Sequence, residues 1–258
     1  MGELVSVIMP AYNAQETITE SIQSVLSQSC GNCELIIIDD CSTDKTAAII
    51  KSFADNRIRY VLNEKNLGVA ASRNRAVELA QGEWIAFLDA DDIWDLNKLS
   101  RQLEFANETD AKITYTASAF MDADGNRFDW VMPAIYALNY KELLKRNLMS
   151  CSSVMVRREL IKRYPFPNRP VTHEDYVVWL RILREVGTAY GLDEPLLIYR
   201  MSGQSKSANR VKSARMSLNA YREVEYNPII AALLTVRYAK HSVSKRRKIK
   251  NGMKKGGD

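Results

Sequence analysis

The run Trp84-Ile85-Ala86-Phe87-Leu88 is followed directly by the polar run Asp89-Ala90-Asp91-Asp92. Five consecutive apolar residues predict a strand that is buried on both faces, as in a parallel sheet covered by helices. A second such run, Leu35-Ile36-Ile37-Ile38, is followed by Asp39 and Asp40. Two buried strands that each end in carboxylates indicate an α/β sheet with polar chemistry at one edge.

Strand and helix patterns alternate on both sides of these runs through the first hundred residues. Residues 5–9 and 58–61 read as two further strands, and apolar stripes at helical spacing separate the four strands. Asn13 and Glu16 predict a capping box at the first helix, and Gly82 predicts the end of the third helix. The βαβαβαβ order predicts a doubly wound, mostly parallel sheet flanked by helices.

The second half of the chain is less regular. Its predicted elements are strands at 113–116 and 154–156, a helix at 174–185, and basic helices from Ala208 onward. We therefore predict one α/β domain over residues 1–207 and a helical basic extension over 208–258.

Composition excludes several classes of protein. A hydrophobic fraction of 46% and a charged fraction of 26% are typical of a folded globular chain. No apolar run is long enough for a transmembrane helix, and the N-terminus lacks a signal-peptide pattern, so a cytoplasmic location is expected. Cys30 and Cys33 form a lone C-x-x-C without the second ligand pair of a zinc site, and are read as incidental.

Carboxylates at neighbouring strand ends would repel one another without a cation. Their oxygen atoms favour a hard divalent ion, Mg²⁺ or Mn²⁺. The glycine-rich fingerprints of other phosphate binders, G-x-x-x-x-G-K-[ST] and G-x-G-x-x-G, are absent. The sequence therefore predicts a metal site that binds a diphosphate. Helix capping and solvated turns are the alternative, which we favour for Asp44 and Asp95.

Four segments in this order resemble glycosyltransferase family 2, which has the GT-A fold. They are Ser6–Asn13, Ile38–Asp44, Asn66-Leu67-Gly68 leading to Arg73-Asn74, and Phe87–Asp92. A weaker match continues through Glu174-Asp175 and from Tyr199-Arg200 to Ser205. The resemblance implies inverting, metal-dependent transfer of a sugar from a nucleoside diphosphate, with UDP the commonest in the family. The acceptor would be lipid-linked or a saccharide, in bacterial surface-polysaccharide biosynthesis.

The resemblance also implies three sets of site residues. The nucleotide-binding residues would be Pro10, Tyr12, Asp40, Arg73, Asp89 and Arg200. Asp91 and Asp89 would hold Mn²⁺ or Mg²⁺. Asp175, beside Glu174, would be the catalytic base, with an N-terminal helix cap as its alternative role. The loop from Arg200 to Ser205 would close over the diphosphate.

The chain departs from the family pattern at two places. Cys41 stands where glycine is usual, and Arg75-Ala76 replaces a residue-glycine pair. The Q-x-x-R-W motif of processive synthases is absent, which favours a single sugar addition. Two other classes remain as alternatives: a non-catalytic nucleotide-sugar or saccharide-binding module, and a nucleotidyltransferase. The latter would need a basic glycine-rich loop where this chain has Pro-Ala-Tyr-Asn.

The C-terminal segment combines apolar and basic residues. Residues 229–243 hold apolar side chains, and 245–250 contain five bases. From Arg237 onward there are nine basic residues and one acidic residue, so the rest of the chain is slightly acidic. Peripheral contact with the inner face of the membrane and a helix packed on the domain are both consistent with this pattern. Nucleic-acid binding is not expected, because no aromatic platform accompanies the charge.

Overall fold

The computed structural model describes residues 3–169, 171–201 and 210–253. Its strands are β1 (Val5–Ala11), β2 (Cys33–Asp39), β3 (Ile58–Leu62), β4 (Trp84–Phe87), β5 (Ile93–Trp94), β6 (Ile113–Met121), β7 (Arg127–Met132), β8 (Ala137–Asn139), β9 (Val154–Arg157) and β10 (Thr188–Arg200). Its helices are α1 (Ile18–Leu26), α2 (Thr46–Ser52), α3 (Val69–Leu79), α4 (Lys98–Thr109), α5 (Tyr140–Leu143), α6 (Arg158–Arg163), α7 (Glu174–Val186), α8 (Arg210–Glu223) and α9 (Pro228–Met253).

The strands form one sheet in the order β3-β2-β1-β4-β9-β6-β10-β5, with β7 paired to β6 and β8 to β10. Strands β1 to β4 are mutually parallel, and so is the long pair β6 and β10. The antiparallel pairs each involve a short strand or a few residues. The predicted α/β class with a doubly wound, mostly parallel sheet is therefore confirmed.

Apolar side chains fill both faces of the sheet, which explains the unbroken apolar runs. In β2, Ile36 and Ile38 pack in one core cluster, whereas Leu35 and Ile37 pack in the other. Helices α1, α2 and α4 cover the second cluster, and α3, α6 and α7 cover the first. Each fully buried aliphatic side chain of this size contributes about 1.5–3 kcal/mol, so the central strands are strongly held.

Two local predictions were wrong. Asn13 caps no helix: α1 begins at Ile18 after Thr17, and the Asn13 side chain accepts a hydrogen bond from the Thr43 amide at 2.8 Å. The side chain thus joins two loops instead of ending a helix. Likewise α3 ends at Leu79 rather than at Gly82. Gly82 is needed for packing, because a Cβ there would lie 2.5 Å from the Leu4 carbonyl oxygen.

The second half contains more strand than its sequence indicated. Strand β6 continues to Met121, well beyond the predicted 113–116, and pairs with the thirteen-residue strand β10. Buried Thr114, Thr116 and Ser118 in β6 interrupt its apolar pattern, and this explains why the sequence did not show its length.

The C-terminal helices pack on the body of the protein. Tyr221 and Val224 near the end of α8, and Ala231 of α9, are buried in the same cluster as α7. The predicted boundary at 207/208 falls in residues 202–209, outside the described residues. Among the helices described, none is long and apolar enough to cross a bilayer.

Replacing Gly82 by alanine should destabilise the fold by about 1–3 kcal/mol, because the added methyl group would overlap the backbone of β1 and the segment before it. Urea unfolding would measure the change. Gly31→Ala is the matched control, since a Cβ at Gly31 meets nothing within 4 Å. Equal midpoints for the two variants would contradict the packing role of Gly82.

Candidate active site

The carboxyl ends of β1, β2 and β4 meet at one edge of the sheet. Strand β1 lies between the other two, with Ala11 opposite Asp39 and Ile8 opposite Phe87. Tyr12 therefore follows the central strand at the same edge as Asp40 and the segment Asp89–Asp92. The sheet order brings these predicted nucleotide and metal residues to one edge, next to the point between β1 and β4 where the strand order reverses.

The loops after β1 and β2 are bonded to each other. The Asn13 amide donates to the Ser42 hydroxyl at 3.0 Å, and the Asn13 side chain accepts from Thr43. Pro10 is buried in β1, whereas the Tyr12 side chain beyond it is 52% exposed and accessible for stacking. Cys41 has a φ of 64°. Glycine adopts this left-handed conformation without a steric cost, which explains why glycine is usual there.

Asp40 is buried and its carboxylate is bonded within the protein. It accepts hydrogen bonds from the Asn63 side chain at 2.7 Å and from the Leu67 and Gly68 amides at 2.9 and 2.7 Å. These bonds hold the Asn66-Leu67-Gly68 segment against the end of β2. Contact of Asp40 with a nucleotide base stays a prediction.

Arg73 joins two acidic segments that are far apart in the sequence. Its buried guanidinium donates to Asp89 Oδ1 at 2.6 Å and to Glu174 Oε1 at 3.1 Å, and it lies over the Phe166 ring at 5.4 Å. Burial opposes the positive charge, but Asp89 and Glu174 outweigh it and raise the pKa of Arg73. Support of a nucleotide by Arg73 stays a prediction, because both observed partners are carboxylates.

Carboxylates are crowded after β4. Burial and the neighbouring Asp89 raise the pKa of Asp91 to about 6. Burial and the charges of Asp91 and Asp89 also raise the pKa of Asp92, whose Oδ1 accepts from the Arg200 amide at 3.0 Å. Such crowding favours a bound cation. Within the described part of the chain no three His, Cys, Asp or Glu side chains converge as ligands, so a metal here would need oxygen atoms from a second molecule.

Arg200 is bonded to three parts of the chain. Its guanidinium donates to the Asp91 carbonyl at 3.0 Å and to the Ala123 carbonyl at 3.2 Å, and it pairs with Glu20. The side chain therefore fixes the segment after β4 to α1 and to the turn before β7. A contact with diphosphate stays a prediction, and the predicted loop closure to Ser205 lies outside the described residues.

The acidic pair opens α7. His173 occupies the cap position, so Asp175 lies within the first turn and Glu174 is the buried partner of Arg73. Burial and the adjacent Glu174 raise the pKa of the half-buried Asp175. A carboxylate with a raised pKa is a stronger base, as proton abstraction requires.

Sequence reasoning missed two residues that position the site. The Ser152 hydroxyl accepts from the Asp89 amide at 3.1 Å, and the Ser152 carbonyl accepts from Trp94 Nε1 at 2.7 Å. Glu20, on α1, is the carboxylate partner of Arg200. A lone serine or glutamate carries no signal in a single sequence, because its partners are distant along the chain.

Comparison with known proteins agrees with the resemblance in the sequence. The profile of Glycosyl transferase family 2 matches residues 6–165. TuaG of Bacillus subtilis strain 168, named for teichuronic acid biosynthesis, is 42% identical over 246 residues, which cover 94% of this chain and 97% of TuaG. WfgD of Escherichia coli, a UDP-Glc:alpha-D-GlcNAc-diphosphoundecaprenol beta-1,3-glucosyltransferase, is 35% identical over 97% of this chain and 98% of WfgD.

Solved structures share the fold at low sequence identity. S. aureus TarS 1-349 in complex with UDP-GlcNAc superposes with a TM-score of 0.71 at 20% identity, over 90% of this chain and 70% of TarS 1-349. The mannosyltransferase PcManGT from Pyrobaculum calidifontis, in complex with GDP-Man and Mn²⁺, gives 0.69 at 18% identity, over 93% and 70%. Sheet topology, profile match and full-length relatives agree, and the chain belongs to glycosyltransferase family 2, with the GT-A fold.

Proposed function

We propose that this glycosyltransferase transfers a sugar from a UDP-sugar to an acceptor linked to undecaprenyl diphosphate, during synthesis of a bacterial surface polysaccharide. WfgD and WfaP of Escherichia coli are both named for transfer from UDP-Glc to GlcNAc-diphosphoundecaprenol. TuaG and the amylovoran enzyme AmsB of Erwinia amylovora are named for polymer biosynthesis. Glucose is the sugar we would test first.

The observation that carries this proposal is the bridge made by Arg73. Its two ion pairs connect Asp89, just after the carboxyl end of β4, to Glu174 at the start of α7. Asp175 follows Glu174 directly. A donor bound at the strand ends and a base on α7 would therefore face the same space, as group transfer requires.

The proposed step is a single displacement with inversion. Asp175 accepts the proton of the acceptor hydroxyl while that oxygen attacks the anomeric carbon. The bond between the anomeric carbon and the diphosphate oxygen breaks on the opposite side, and UDP leaves with the electron pair. Glu174 and burial keep the pKa of Asp175 above that of a free aspartate, which strengthens it as a base.

Asp91, with Asp89, is the site that we propose for Mn²⁺ or Mg²⁺. The crowded carboxylates, with the raised pKa of Asp91, fit a hard cation that lacks a full set of protein ligands. When bound, the ion would neutralise charge on the leaving diphosphate. The Mn²⁺ in the PcManGT structure supports the proposal by analogy of fold.

Asp91→Asn should abolish metal-dependent donor binding. We expect at least about a tenfold loss of affinity for one UDP-sugar in the presence of Mn²⁺, measured by calorimetry with a panel of UDP-, GDP- and dTDP-sugars. The protein should stay folded at pH 7, because the substitution removes a carboxylate whose ionised form is disfavoured by burial.

Asp95→Asn is the matched control. Asp95 lies a few residues further on, and its exposed carboxylate accepts a hydrogen bond from the Asn97 amide, which an asparagine side chain can also accept. The Asp95→Asn variant should bind and turn over donor as the wild type does. Unchanged metal-dependent binding in Asp91→Asn would contradict the proposed metal site. Donor binding without transfer to any acceptor would favour the non-catalytic module instead.

The pH dependence of turnover tests the base. The kcat should fall as the pH decreases through the raised pKa of Asp175, because the protonated carboxyl cannot accept the acceptor proton. Glu174→Gln removes a charge that raises this pKa, so the acidic limb should move to lower pH while the maximal kcat decreases. Steady-state kinetics across the acidic range measure both effects. An acidic limb that does not move would contradict the assignment of Asp175.

A further inference from the structure

Helix α9 has an inner face that packs on the protein. Ala231 is fully buried in the main core cluster, and Leu234 and Tyr238 pack against the same cluster. These positions recur at intervals of three and four residues, so they form one stripe along the helix. The helix is therefore held in a fixed orientation, and its opposite face points away from the core.

The outer face of α9 is also apolar. Ile229, Leu233 and Val236 are 75%, 67% and 58% exposed, again at intervals of four and three. With Pro228 and Ala232 they line a shallow apolar groove on the surface. Single exposed apolar residues are ordinary, but a continuous stripe on a helix marks a contact surface.

The basic residues that follow this apolar stripe indicate which kind of partner covers it. Helix α9 runs on to Met253, and the chain from Arg237 onward holds nine basic residues and one acidic residue. An occupant that is both apolar and anionic satisfies the two features together, and an anionic bilayer is such an occupant. A second copy of the chain fits less well, because pairing through α9 would bring two strongly basic segments together.

The stripe is anchored beside the candidate base. The Tyr238 ring lies 6.0 Å from the His173 ring and 5.7 Å from the Tyr176 ring. These two residues flank Glu174 and Asp175 in the sequence. A surface that binds α9 would therefore be held close to the start of α7.

We propose that α9 lies in the plane of an anionic membrane surface, with Ile229, Leu233 and Val236 inserted among the lipids and the following basic residues at the headgroups. The contact would bring the start of α7 to the surface where a lipid-linked acceptor is embedded. That benefit rests on the proposed function, whereas the lipid contact itself does not.

Vesicle flotation with the full chain tests the proposal. The wild type should float with phosphatidylcholine vesicles that contain phosphatidylglycerol, and float less with phosphatidylcholine alone or at high salt. The variant Ile229→Ser/Leu233→Ser/Val236→Ser should lose at least about tenfold in vesicle affinity. Its melting temperature should match the wild type, since the three side chains are exposed.

Leu62→Ser/Leu96→Ser is the matched control, because these two leucines are 51% and 54% exposed elsewhere on the surface. It should float as the wild type does. Wild-type flotation by the triple variant, or no flotation of the wild type with phosphatidylglycerol, would overturn the proposal. A dimer that the triple variant converts to a monomer, seen by light scattering without vesicle binding, would identify a second copy as the occupant and would also overturn it.

The same assay separates this proposal from the proposed function. Asp91→Asn should float normally while it fails to transfer sugar. Flotation of the wild type without any transferase activity would support the membrane contact and count against the proposed reaction. Sugar transfer by a wild-type protein that does not float would support the proposed reaction and overturn the membrane contact.

Discussion

The buried guanidinium of Arg73 is the interaction on which the candidate site depends. It forms ion pairs with Asp89 and Glu174 at once, and these residues come from opposite halves of the chain. Removing one partner from a buried ion pair of this kind costs about 3–5 kcal/mol, because the remaining charge is left without compensation. Arg73 therefore fixes α7 relative to the end of β4. Its positive charge also reduces the repulsion among the carboxylates at this edge of the sheet.

The aspartates at the sheet edge have different roles although they look alike in the sequence. Asp39 and Asp40 accept hydrogen bonds from neighbouring loops and are largely satisfied within the protein. Asp91 and Asp92 lie where burial raises their pKa values, together with the charge of Asp89 on both and of Asp91 on Asp92. Asp39 and Asp40 therefore hold the neighbouring segments in place at the end of β2. Of the second pair, Asp92 accepts a hydrogen bond from the Arg200 amide, and Asp91 is the residue that we propose as a metal ligand.

The C-terminal helix packs on the domain and also exposes an apolar face, so it is compatible with both interpretations of its sequence. The sequence was consistent with a helix packed on the domain and with a helix on a membrane. In the structure α9 packs through Ala231 and still exposes Ile229, Leu233 and Val236 on its other side. Packing one face fixes the helix, and this gives the exposed face a defined direction relative to α7.

The sequence by itself determined the α/β class, the first four strands, the strand-end carboxylates and the family, because local patterns of apolar residues and short motifs are enough to identify each of them. It misjudged Asn13, Gly82 and the length of β6, where partners distant in the chain outweigh local preference. Only the tertiary structure decided that Arg73 bridges two carboxylates, that Arg200 binds Glu20, and that Ser152 supports Asp89. Such contacts depend on the path of the whole chain, since residues that meet across a sheet edge are brought together by topology and not by their spacing in the sequence.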